Sequence, residues 1–178
     1  MAELIGLVAA AFMLYFPYVW CSRKNEPEEV YGLKWFMTKQ AKIDVVIALL
    51  VTLIPLTVIV MFMPKSLGGG LKTPSLWETL NILGGGIAAA FIEETFFRGW
   101  LQTLAVKKFG LVTGILMTTA VFASIHLIAV QKIVRLLTFF PGLVMAVLRH
   151  RNGSVMPSII YHAVCNVWAV WFSPLPGA

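Results

Sequence analysis

At 178 residues, 59% of them hydrophobic and 12% charged, with a mean hydropathy of +0.85, the chain is far more apolar than a soluble domain, in which about a quarter of residues are charged. That excludes an ordinary soluble enzyme and predicts a single all-α domain over residues 1–178, a multi-pass transmembrane bundle of about six helices. The net charge of +6 predicts no nucleic-acid partner, because the basic residues lie between apolar runs, where Lys and Arg set membrane orientation.

Leu4 to Trp20 is the first apolar run. It lacks a basic leader and a small-residue cleavage site, so it reads as a retained membrane helix rather than a signal peptide. Cys21 to Lys42 is a charged connector whose Tyr31, Trp35 and Phe36 suit the membrane interface. Ile43 to Met63 is the second span, with Pro55 as an expected kink, and Pro64 to Pro74, containing Gly68-Gly69-Gly70, reads as a loop. A third helix opens near Thr73-Pro74-Ser75, where a capping residue and a first-turn proline are expected to coincide. It runs past Glu93 and Arg98 to about Val106, and Lys107 to Gly110 is a turn. Leu111 to Val130 is the fourth span, Gln131 to Arg135 a polar break and Leu136 to Leu148 a short fifth segment. Arg149 to Ser154 is a basic turn, Val155 to Phe172 the sixth span, and Ser173-Pro174-Leu175-Pro176 a short tail. Cys21 and Cys165 have no metal-type spacing and read as free structural thiols.

Of the Lys and Arg residues, only Lys65, Lys72, Lys132 and Arg135 fall in the connectors after the second and fourth spans. The positive-inside bias therefore predicts both termini outside and the 21–42 connector in the cytoplasm.

Six polar residues interrupt the apolar runs: the adjacent acids Glu93 and Glu94, then Arg98, His126, His162 and Asn166. An ionisable group in hydrocarbon costs several kcal/mol and is a functional-site hypothesis by default. Glu94 and Arg98 are four apart, acid first, the favourable order for a helical pair. Glu93 projects about 100° away, on the face of Gly86, Ala89 and Phe97, and needs a partner from another helix. Gly85, Gly86, Ala89 and Ala90 are small enough to let helices approach closely there. His162 and Asn166 share a stripe of the last helix, as Phe122 and His126 share one of the fourth. A carboxylate and an imidazole around a water are the parts for general-base hydrolysis, and a second imidazole and an amide can donate to an oxyanion. Two histidines and a carboxylate also make a catalytic zinc set, though no HExxH occurs. Ser124 and Ser158 lie near the histidines without a GxSxG elbow. A proton-coupled transporter fits the ionisable groups, but no internal repeat accompanies them. A non-enzymatic immunity or adaptor protein binding a peptide would use the same pocket.

Glu93-Glu94-Thr95-Phe96-Phe97-Arg98 fits EExxxR, Phe122 to His126 fits FxxxH, and His162 to Asn166 fits HxxxN. Three such motifs in this order resemble the CAAX-protease and bacteriocin-processing family of intramembrane proteases, which includes the type II CAAX prenyl endopeptidases. Pro141-Gly142 and Gly153-Ser154 extend the likeness, and residues 73–172 are the expected catalytic core. The resemblance implies an intramembrane endopeptidase of the glutamate-dependent type, in which Glu93 activates water with His126, and His162 and Asn166 stabilise the oxyanion. Glu94 and Arg98 would hold the site together. It implies no cofactor, with zinc as the alternative, and a peptide or protein substrate, membrane-associated or exported. The expected setting is the cytoplasmic membrane of a bacterium or archaeon. The prenyl endopeptidases usually carry more helices than the six counted here, and the shorter bacterial members fit this length better. His126 falls about 6 Å from the end of the fourth span at 1.5 Å per residue, so the site is expected to open toward the outer face.

Overall fold

Residues 2–65 and 69–172 are described by a computed structural model. Among them the chain forms six helices and no strand. Residues 66–68 of the expected glycine loop and the tail at 173–178 lie outside the described residues.

Helix α1 is Ala2–Lys24 and α2 is Lys39–Phe62, started by Thr38, whose hydroxyl accepts from the Ala41 N–H. Helix α2 continues through Pro55. The long α3, Leu76–Phe109, opens on a capping box in which Ser75 and Glu78 satisfy each other's backbone N–H groups. Pro74 therefore precedes the cap instead of occupying the first turn. Lys107 and Lys108 are helical, and the break falls at Gly110, whose φ of 81° ends α3. Helix α4 is Leu111–Val130. A 3-10 stretch, Ile133–Thr138, leads into α5, Phe139–Asn152. Arg149 to Asn152 form the last turn of α5, and Gly153 (φ 63°) supplies the left-handed residue that ends it. Helix α6 is Met156–Phe172.

Among the described residues, five helical segments are long and apolar enough to cross a membrane, α3 as one 34-residue span. Helix α6, at 17 residues, sits at the lower limit for crossing hydrocarbon. The side-chain distribution is the reverse of a soluble protein's. Leu4, Ile5, Val51 and Ile54 are more than half exposed, whereas Glu94, Thr95, Arg98, Thr119 and Ser158 are fully buried. Such a surface suits lipid, and small or hydrogen-bonding residues hold the interior.

The first stretch of α3, Leu76–Glu94, packs most extensively against α6. Gly86 lines that contact, where a Cβ would press on the Asn166 side chain, and Ala90 is buried in a cluster that includes Ile159 of α6. Gly84 and Gly85 meet nothing at close range, so of the four small residues expected at the approach Gly85 takes no part. The 21–42 connector is part of the fold, not merely interfacial. Its Tyr31 is buried, donates to Glu26 and accepts from the Trp20 indole. The Val155 N–H and the Ser154 hydroxyl bond the carbonyls of Gly32 and Lys34, and Trp35 stacks on Phe91. The carboxylate Glu26 is held below its usual range, first by the Tyr31 hydrogen bond and then by Lys107.

Candidate active site

Glu93 and Glu94 end the first α-helical stretch of α3. The next seven residues, Thr95–Leu101, form a π-helical turn, in which the Gln102 N–H reaches back five residues to Phe97 O. Nothing in Thr-Phe-Phe-Arg-Gly-Trp-Leu distinguishes this from an ordinary helical turn, and insertions of this kind concentrate at functional sites. Thr95 and Thr103 donate their hydroxyls to the carbonyls of Phe91 and Gly99 at 2.7 and 2.6 Å, bonds that bend helices.

Glu94 and Arg98 are both fully buried, with Arg98 Nε 3.5 Å from Glu94 Oε2. Two more contacts seat the guanidinium. Arg98 Nη2 donates to Gly142 O at 3.1 Å, its carbon lies 4.3 Å from the Phe122 ring centre, and a Cβ at Gly142 would crowd both groups. One turn further, Gln102 Nε2 donates to Ala146 O at 3.0 Å. Two side chains of α3 are thereby anchored on two carbonyls of α5. Gln102 carries no motif, and its polarity within an apolar stretch was the signal for it.

Phe122 sits at the centre. Its ring contacts Phe97, His126 and His162 as well as Arg98, and its carbonyl accepts from His126 Nδ1 at 3.0 Å. A carbonyl only accepts, so Nδ1 carries a proton and Nε2 is the nitrogen turned to Glu93. His126 Nε2 lies 3.7 Å from Glu93 Oε2, both side chains a quarter exposed. That is longer than a hydrogen bond, and Glu93 Oε2 has no hydrogen-bond partner among the described residues.

His162 and Asn166 both bond to α3. His162 Nδ1 bonds Glu94 Oε1 at 3.1 Å, so Glu94 is shared between Arg98 and His162, and Glu93 keeps only His126 as its ion-pair partner among the described residues. Asn166 Nδ2 donates to Gly86 O at 3.0 Å, which ties α6 to α3 and leaves its second N–H available. Ser158 donates to Met145 O and Ser124 is exposed, which leaves neither hydroxyl beside a histidine base. Among the described residues, no group of three His, Cys, Asp or Glu side chains lies close enough together to hold one ion.

Residues 75–168, just over half of the chain, match the family model described as Rce1-like, type II CAAX prenyl endopeptidase. No curated protein and no solved structure matches the chain.

Proposed function

Because the chain belongs to the Rce1-like family of type II CAAX prenyl endopeptidases, and is accordingly an integral membrane protease, we propose that it hydrolyses a peptide bond with water activated by Glu93. The observation that carries this reading is the open pair Glu93–His126, placed one residue from the sealed pair Glu94–Arg98. Glu93 takes a proton from the water as its oxygen attacks the scissile carbonyl carbon, and later returns it to the leaving amine. His126 Nε2 orients the water and shares the proton. The oxyanion is stabilised by His162, which Glu94 holds through Nδ1 and which donates through its other ring nitrogen, Nε2. The free N–H of Asn166 is the second donor. The substrate is a membrane-associated peptide or protein segment, since a site flanked by lipid-facing helices is reached most directly by a chain already in the bilayer.

Purified protein incubated with membrane-anchored peptides tests the assignment. Cleavage should fall about 10²- to 10⁴-fold in Glu93→Gln and His126→Ala and should survive chelation. Full activity in either variant rejects it, and loss on chelation restored by zinc replaces it with the metal-dependent version. The site is taken to open on the face opposite the basic helix ends. A cysteine at Gln131 should then react with an impermeant thiol reagent added outside intact cells, and labelling only after lysis would reverse the orientation.

A further inference from the structure

Two arginines in the last turn of α5 meet different fates. Arg151 is paired with Asp44 at 3.2 Å. Arg149 has no carboxylate among the described residues. Its Nη2 donates to Thr103 Oγ1 at 3.1 Å, its Nε is buried without a hydrogen-bond partner, and its guanidinium fills the space a side chain at Gly32 would need. A cation so desolvated and unanswered is costly, and Arg is the side chain whose planar fork suits a phosphate.

Arg149 also lines a groove of about 160 Å³ between the C-terminal turns of α3 and α5, with Val30, Thr103, Lys107 and His150. One water occupies about 30 Å³ in the liquid, so the groove has room for a tetrahedral oxyanion. Lys107 on the rim is engaged by Glu26 at 3.3 Å, and His150 is exposed. Arg149 is therefore the charge that would anchor a ligand. From Glu93 to Thr103 is ten residues of α3, about 15 Å along the axis, which separates the groove from the candidate catalytic pair.

We propose that this groove binds the phosphate of an anionic lipid headgroup, with Arg149 as its anchor. The groove lies at the C-terminal ends of two candidate membrane spans, α3 and α5, where such spans meet lipid headgroups, and basic pockets between membrane helices there take anionic lipids. A leaflet surface also presents phosphate at far higher local concentration than the solution does.

The test compares thermal unfolding of the full chain in nanodiscs of phosphatidylglycerol and of phosphatidylcholine, with inorganic phosphate titrated into the latter. Phosphatidylglycerol should raise the wild-type Tm by about 3–6 °C, the size expected for a ligand at about ten times its Kd. The rise should vanish in Arg149→Gln and persist in Arg151→Gln. Because the readout is the difference between two lipids, a general loss of stability in Arg149→Gln does not mask it, and native mass spectrometry of retained phosphatidylglycerol gives an independent count. An equal rise in Arg149→Gln, or no rise in the wild type, overturns the proposal. A rise produced by inorganic phosphate alone assigns the groove to a soluble anion and overturns the lipid as occupant.

Discussion

Glu93 and Glu94 are neighbours in sequence and opposites in environment. Glu94 is fully buried and held between Arg98 and His162. Glu93 is a quarter exposed and faces only His126, at 3.7 Å. A fully buried carboxylate enclosed by a guanidinium and an imidazole is closed to water and substrate. A carboxylate that reaches the surface is not. The difference separates the acid that holds α3, α5 and α6 together from the acid free to do chemistry, and the π turn that follows them begins where the two faces diverge.

Exchanging the two acids for amides gives the largest contrast. Glu94→Gln leaves the Arg98 guanidinium buried without its counter-charge, at a cost of about 3–5 kcal/mol, which lowers Tm by roughly 6–20 °C for a chain of this size. Glu93→Gln should leave Tm within about 2 °C of wild type while cleavage is lost. Thermal unfolding beside a cleavage assay reads both, and a comparable loss of Tm in the two variants would dissolve the distinction. A smaller effect separates the two uses of Asn166. If its amide serves only the Gly86 carbonyl, Asn166→Ala costs about 0.6 kcal/mol and leaves kcat nearly unchanged. If it donates to the oxyanion, kcat falls about 10²- to 10³-fold with KM little altered.

Much of the site was legible because helical spacing fixes which residues share a face. The pairing of Glu94 with Arg98 followed from their separation of four, and the pairing of Glu93 with a residue from another helix followed from the lack of any base within a turn of it. The choice of that residue did not. His162 goes to Glu94 because α3 and α6 touch through Gly86 and Ala90, and that contact sets which acid faces the last helix. Gln102 and Arg149 escaped for related reasons. A π turn shifts the phase of everything after Thr95 without a compositional mark, and a basic cluster at a helix end reads as solvated whether or not one member has turned inward. The connector was similarly opaque, since Tyr31 is interfacial by type and buried by its bonds to Glu26 and Trp20.

The paired anchors Arg98 on Gly142 O and Gln102 on Ala146 O are each spaced by four residues on both helices. They act as two teeth of a key and admit one axial register of α3 against α5. Added length between Gly142 and Ala146 should consequently be tolerated less well than altered chemistry there. One inserted residue rotates the following carbonyl by about 100° and leaves only one tooth seated, whereas most substitutions leave both carbonyls where they are.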